Sequence, residues 1–148
     1  MRIIPFLGFH GQAHEAMAFY ATALGGKVVG ETRYSEMPTE GNDREGCGQV
    51  SAETADYIAH SQLEVGSAVL MAADGPTDAE GGGTTTVNVE VDSIEEAERV
   101  FAALAAGGKV DMPMSETFWA YRWGYLHDRY GKPWMVNCMK PDPVAAGA

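Results

Sequence analysis

An internal repeat constrains this chain more than any other feature of its sequence. Residues 15–28 read EAMAFYATALGGKV and residues 96–110 read EAERVFAALAAGGKV, and a single inserted residue brings the two segments into alignment. A self-match of this kind indicates a duplicated supersecondary unit. With 148 residues, the chain has room for one domain, or for two small modules that share a core.

Each copy of the repeat contains an amphipathic helix that ends at a pair of glycines. Apolar residues recur at helical spacing in both copies. These positions are Ala13, Ala16, Met17, Tyr20, Ala23 and Leu24 in the first copy and Ile94, Ala97, Val100, Phe101 and Leu104 in the second. Ser93 and Glu96 form a capping-box pattern. Gly25-Gly26 and Gly107-Gly108 suit the left-handed conformation that stops a helix, and their place after the helix disfavours a phosphate loop.

Strand patterns surround each helix, with one before it and three after it. The predicted strands are Arg2–Phe9, Lys27–Tyr34, Tyr57–Glu64 and Ser67–Ala73, followed by Thr86–Val91, Lys109–Met112, Arg122–Asp128 and Lys132–Met139. We expect turns at Val65-Gly66 and at residues 129–132, and a glycine-rich linker over residues 75–83. The sequence therefore predicts an α+β fold of two βαβββ modules, at about residues 2–74 and 84–140, within a single domain.

A doubled βαβββ unit resembles the vicinal oxygen chelate superfamily, which includes glyoxalase I, extradiol dioxygenases and bleomycin-resistance proteins. The segments that resemble its PhnB-like branch are Glu15-Ala16 with Phe19-Tyr20, Leu70-Met71-Ala72, the run Glu116-Thr117-Phe118-Trp119, and the tail from Asp128 to Asn137. The resemblance covers about residues 2–140. It implies the glyoxalase/bleomycin-resistance fold, in which the modules form a cupped mixed sheet, and it implies a homodimer.

Charge and composition exclude several classes of partner. The formal net charge of −11 would repel a phosphate backbone, so we expect no nucleic-acid partner. No run of 18 apolar residues is present, and the N-terminus has no signal-peptide pattern, so we expect no membrane partner. Cys47 and Cys138 lack CxxC spacing, which favours a reducing cytoplasm.

The positions that hold a metal ion in other members of the superfamily carry unsuitable residues here. Aligned by strand order, these positions are Pro5, Met71, Thr86 and Met135. Proline has no side-chain donor, and a methionine thioether is a soft, weak ligand for hard divalent cations. We therefore predict no metal at this position and no cofactor. Members of the PhnB-like branch often carry a name that refers to methylation, but Gly81-Gly82-Gly83 leads into a strand rather than a helix, so we do not expect a doubly wound methyltransferase.

Strand alternation predicts which side chains line the cup. If Val65-Gly66 closes a two-residue hairpin, His60 lies opposite Met71 on the cup side. The same alternation turns Asn88 and Glu90 on the fifth strand, and Met135 and Asn137 on the last, toward the cup, and it places Cys138 in the core. An apolar concavity with a few polar groups is the usual form of a small-molecule site.

Two predicted loops lie near this cup in the expected fold. Residues 35–56 form a long loop rich in glycine and acidic residues. Residues 113–121 carry Phe118, Trp119 and Tyr121, which form either a wall for a ligand or a contact with a dimer partner. The predicted ligand-binding residues are His60, Met71, Asn88, Glu90, Trp119, Tyr121, Met135 and Asn137.

The function favoured by these features is that of a dimeric PhnB-like protein that binds a small molecule in the cup. Whether the molecule is changed stays open, and a metal-independent enzyme is one form of this hypothesis. A second hypothesis is a non-catalytic protein that sequesters an antibiotic or another small molecule, as bleomycin-resistance proteins do. A third is a divalent-metal lyase, isomerase or dioxygenase with non-standard ligands.

Overall fold

The structure, a computed structural model, describes residues 2–37, 51–75 and 85–141. The chain divides into two compact units, Met1–Gly82 and Gly83–Ala148, and each unit holds one copy of the repeat. Cys47, most of the predicted loop 35–56 and residues 76–83 of the predicted linker lie outside the described residues.

The first unit is a four-stranded mixed sheet with one long helix. Its elements are β1 (Phe6–Phe9), α1 (Ala13–Leu24), β2 (Lys27–Arg33), a short 3-10 turn (Tyr34–Glu36), β3 (Ile58–Val65) and β4 (Ala68–Asp74). The strand order is β1-β4-β3-β2. Strand β1 runs parallel to β4, and the other neighbours are antiparallel.

The second unit repeats this arrangement. Its elements are β5 (Val87–Glu90), α2 (Ile94–Ala105), β6 (Lys109–Ser115), β7 (Ala120–His127) and β8 (Pro133–Met139). The order β5-β8-β7-β6 corresponds strand for strand to that of the first unit, and β5 again runs parallel to β8. The predicted α+β fold of two βαβββ modules is confirmed. Strand β1 is shorter than expected, and β7 begins at Ala120, so Tyr121 lies on a strand and not in the predicted loop.

Each helix buries the predicted apolar stripe. The buried helical residues are Ala13, Ala16, Met17, Tyr20 and Ala23 in α1 and Ala97, Val100, Phe101 and Leu104 in α2. Of the other two residues of the predicted stripes, Ile94 is 38% exposed and Leu24 is half-buried. On the sheets, Leu63, Leu126 and Trp134 are fully buried. Burial of each large apolar side chain contributes about 1.5–3 kcal/mol.

The two glycines that follow each helix have different roles. Gly25 and Gly107 have φ angles of 70° and 77°, in the left-handed region that a helix end favours. Gly26 instead lies where a Cβ would be 2.5 Å from the carbonyl oxygen of Glu64. A Cβ on Gly108 would overlap the carbonyl oxygen of His127 in the same way. The first glycine of each pair therefore turns the chain, and the second lets it pass close to a neighbouring strand.

Neither helix of the described residues is long and apolar enough to cross a membrane.

Candidate functional site

The sheet of the second unit has one face covered by α2. Gly124 lies on this face, because a Cβ there would be 2.6 Å from the ring of Phe101. Val136 on β8 is fully buried on the same side. Since side chains alternate along a strand, the neighbours of these residues point away from the helix. We call this side the open face of the second unit, and it carries Trp123 and Tyr125 on β7 and Met135 and Asn137 on β8.

Strand register brings four of the predicted ligand-binding residues together on this open face. In the parallel pairing of β5 with β8, Asn88 lies beside Met135 and Glu90 lies beside Asn137. The antiparallel pairing of β7 with β8 places Trp123 beside Asn137. Trp123 and Tyr125 were not among the predicted site residues, although the same alternation rule would have assigned them to this face.

Asn137 is the least exposed polar residue of the open face. Its side chain is 4% exposed, and its Nδ2 donates a hydrogen bond to Oδ1 of Asn88. Within residues 2–37, 51–75 and 85–141, the buried Oδ1 of Asn137 has no hydrogen-bond partner. A buried acceptor without a partner costs about 1–3 kcal/mol, so a partner for this oxygen would stabilise the folded protein.

An aromatic series leads from the end of the sheet to the open face. The rings of Phe118 and Trp119 meet edge to face at 4.7 Å, and those of Trp119 and Trp123 at 6.0 Å. Trp119 is 38% exposed and immediately precedes β7. Tyr121 is 41% exposed, and Nζ of Lys140 lies 5.7 Å from its ring centroid. Trp119 and Tyr121 thus belong to the second unit and occupy its surface near one end of β7.

The remaining two predicted residues, His60 and Met71, belong to the first unit, and the predicted hairpin register there is wrong. Val65 pairs with Ala68, so the turn is Gly66-Ser67 and not Val65-Gly66. Gln62, rather than His60, therefore lies opposite Met71. Because the turn moved by one residue on each strand, the pairing moved by two. This even shift keeps His60 on the same face as Met71.

That face of the first unit is the one opposite α1, since the paired Leu63 and Leu70 are buried on the helix side. Phe6 of β1 lies beside Met71, and its ring centroid is 6.3 Å from that of His60. Phe6 is 56% exposed and was not predicted as a site residue. His60 thus lies beside an exposed aromatic ring.

Another histidine, His127 of the second unit, lies beside a carboxylate. Nδ1 of His127 lies 2.6 Å from Oδ2 of Asp111, and the Tyr125 ring meets the His127 ring edge to face at 5.5 Å. The hydrogen bond to His127, assisted by Lys109, holds the pKa of Asp111 below its ordinary value. Nothing in the sequence pattern of β6 marks Asp111 as the partner of His127.

The four positions aligned with the superfamily metal site carry side chains that do not suit a divalent cation. Pro5 and Thr86 lie just before β1 and β5, while Met71 and Met135 lie on β4 and β8. Two thioethers, one hydroxyl and a proline do not fit a hard divalent cation. The described part of the chain also contains no group of three or more His, Cys, Asp or Glu side chains that could hold a metal ion.

Comparison with known proteins defines the class of this chain. The family model described as 3-demethylubiquinone-9 3-methyltransferase matches residues 1–137. Protein YjdN of Escherichia coli (strain K12) is 35% identical over 148 residues, which are 97% of this chain and 99% of that protein. The chain therefore belongs to this PhnB-like family.

Solved structures agree with this assignment. Protein PA1353 of Pseudomonas aeruginosa is 39% identical, with a TM-score of 0.80 over 93% of this chain and 97% of that one. A Bacillus cereus protein described as a 3-demethylubiquinone-9 3-methyltransferase, PhnB protein, is 24% identical, with a TM-score of 0.72 over 93% and 99%. A glyoxalase/bleomycin resistance protein/dioxygenase family enzyme of Burkholderia phytofirmans PsJN, 15% identical with a TM-score of 0.61 over 93% and 97%, shares the fold.

The name of the family refers to methyl transfer, but the strand topology of this chain differs from that of a doubly wound methyltransferase. In each described sheet, one parallel strand pair adjoins antiparallel strands. A doubly wound fold instead has a mostly parallel sheet with a glycine-rich turn between a strand and a helix. The specific function of this protein is therefore not given by the family name.

Proposed function

We propose that this protein binds a small, partly apolar molecule on the open face of the second unit. The observation that carries the proposal is the buried Oδ1 of Asn137, which has no partner within the described residues and lies on a strand between Glu90 and Trp123. A polar atom that is costly to bury is explained if a bound molecule satisfies it.

The neighbours of Asn137 supply the rest of a small-molecule site. The hydrogen bond to Asn88 fixes the orientation of the Asn137 amide, and Trp123 offers apolar area on which a ring can stack. Met135 adds a flexible apolar surface, and Glu90 adds an exposed carboxylate at the edge of the sheet. In such a site, a small number of polar groups on an apolar surface orient the bound molecule and give the site its specificity.

The proposal also covers the oligomeric state of the protein, its location and its further ligand contacts. We infer a homodimer, since the exposed Phe118 and Met139 offer apolar area to a second copy. We also infer a cytoplasmic protein that acts without a metal at the family position and has no nucleic-acid partner, which its charge of −11 supports. His60, Met71, Trp119 and Tyr121 remain proposed ligand contacts. Light scattering that returns the mass of a monomer at micromolar concentration would contradict the dimer.

Equilibrium dialysis with a panel of small aromatic compounds, including 4-nitrophenol and 4-nitroanisole, tests the binding proposal. We expect at least one compound to bind the wild type and Asn137→Ala to weaken that binding about tenfold or more, because a lost polar contact costs about 1–3 kcal/mol. Gln12→Ala is the matched control, since Gln12 is an exposed amide whose side chain makes no helix-capping bond.

Two results would contradict the proposal. One is the failure of every compound to bind the wild type, and the other is equal binding by Asn137→Ala. Mass spectrometry of the dialysed compound then separates the two forms of the hypothesis, because an enzyme returns a modified molecule and a sequestering protein returns it intact.

A further inference from the structure

The pair of Asp111 and His127 lies at one end of the open face of the second unit. His127 follows Tyr125 by two residues on β7 and therefore lies on the same face, about 7 Å further along the strand. Tyr125 in turn pairs with Met135, which lies beside Asn88. A molecule that covers Tyr125 and Met135 is thus within one such step of the imidazole. Trp123, the partner of Asn137, lies two steps away, about 14 Å along the strand.

A local irregularity of β6 brings Asp111 to this position. Val110 pairs with Leu126 and Met112 pairs with Tyr125, so β6 has one more residue than β7 at this point. Asp111 is the additional residue, and its carboxylate reaches His127. Bulges of this kind redirect a side chain and occur frequently beside functional sites.

The contact determines which nitrogen of His127 is basic. An ionised carboxylate only accepts hydrogen bonds, so Nδ1 must carry the proton that Oδ2 of Asp111 accepts. In the neutral form of the imidazole, Nε2 then keeps its lone pair and is the nitrogen that can accept a proton. The edge-to-face ring of Tyr125 limits rotation of the imidazole, and the His127 side chain remains 39% exposed and thus accessible from solvent.

We propose that His127 accepts a proton from a weakly acidic O–H or N–H group of the molecule bound on this face, with Asp111 as its positioning residue. This inference rests on the proposed function and adds a chemical class to it, namely a weak acid such as a phenol or an enol. The O–H or N–H bond breaks, and its electron pair stays on the ligand as the conjugate base. The proton passes to Nε2, and Asp111 stabilises the resulting imidazolium.

4-Nitrophenol reports this step directly, because only its phenolate absorbs strongly in the visible range. At a pH equal to the pKa of the free compound, we expect bound 4-nitrophenol to shift about tenfold toward the phenolate, which is one pKa unit. The net charge of −11 would by itself oppose this shift, so an increase requires a local proton acceptor. 4-Nitroanisole has no acidic proton and serves as the binding control.

Three variants locate the effect. His127→Gln should abolish the ionisation shift while 4-nitroanisole still binds. His14→Gln is the matched control, since Nδ1 of His14 also lies 2.6 Å from a carboxylate oxygen, that of Glu31, but in the first unit. Asp111→Asn should reduce the shift and, by long-range proton–nitrogen NMR, should populate the Nε2–H form of His127, because an asparagine amide can donate to Nδ1.

The outcomes separate the two proposals. Failure of every compound in the dialysis panel to bind would contradict the proposed function itself. Failure of 4-nitrophenol alone would overturn only the role of His127. Binding of both compounds with 4-nitrophenol ionised as in free solution would overturn only the role of His127. An Nε2–H tautomer in the unliganded wild type would overturn the role of Asp111.

Discussion

The two units share a strand order but present different open faces. In the first unit, the face opposite α1 carries Phe6, His60 and Met71 together with glycines at positions 8 and 30 where a Cβ would meet no other atom. In the second unit, the corresponding face carries two asparagines, one methionine and two large aromatic rings. The duplicated scaffold therefore does not dictate the chemistry of its faces, and the amide groups are concentrated in the second copy.

Among the described residues, each unit also buries one carboxylate at or just after the end of a strand, and the two carboxylates have different partners. Asp74 accepts hydrogen bonds from the backbone N–H groups of Ala13 and Ile58, so it joins the start of α1 to β3. Asp128 accepts from two backbone N–H groups of its own turn and from Nε1 of Trp134. One carboxylate joins distant segments, and the other closes a hairpin.

The largest expected effect is the loss of Asp74. Asp74→Ala leaves two buried N–H donors without acceptors, and at about 1–3 kcal/mol for each donor we expect a destabilisation of about 2–6 kcal/mol in urea unfolding. Asp56→Ala, at an exposed aspartate, should stay within about 0.5 kcal/mol of the wild type. A similar loss of unfolding free energy in both variants would show that the buried hydrogen bonds of Asp74 do not account for its contribution to stability.

The glycine pairs test whether the two copies obey the same rule. Gly26→Ala and Gly108→Ala should each cost about 1–3 kcal/mol, because the added Cβ meets backbone atoms that cannot move aside. Gly25→Ala and Gly107→Ala should cost less, about 1–2 kcal/mol, the strain of a left-handed alanine. Thermal unfolding of the four variants measures both differences, and a reversed order in either unit would break the equivalence of the copies.

Replacement of His60 tests the face of the first unit. His60→Ala should leave the fold largely intact, because the side chain is only half-buried and supports little of the core. If a compound of the dialysis panel contacts this face, the variant should weaken its binding about tenfold, as the loss of one polar contact does. An unfolded variant, or unchanged binding, would assign His60 a structural role.

The smallest effect concerns acid stability at Asp111. Its pKa in the folded protein is lowered from the ordinary value of 3.8, chiefly by the hydrogen bond to His127. The stabilisation by ionised Asp111 is therefore fully present above pH 3.8 and is lost as the pH falls through the lower folded value. Acid titrations of unfolding should show a small advantage of the wild type over Asp111→Asn that disappears at the acid end. The exposed Gln12→Ala, which removes no carboxylate, should follow the wild type at every pH.

Much of the fold could be predicted because it depends on local patterns. The repeat, the helical stripes and the paired glycines are all local in sequence, and they were sufficient for two βαβββ modules. The face assignments of Asn88, Glu90, Met135 and Asn137 also follow from alternation alone, which has a period of two residues. The errors concern the ends of elements, such as the start of β1, the hairpin turn at Gly66-Ser67 and the start of β7.

By itself, the sequence determined the modules, their order and the side of each sheet on which a residue lies. The tertiary structure alone decided which residues meet. The additional residue in β6 brings Asp111 to His127, and strand pairing buries Asn137 against Asn88 while its Oδ1 has no partner in the described chain. The physical reason is that periodicity records only the direction of a side chain. A contact between strands depends on register, and one added residue is enough to change that register.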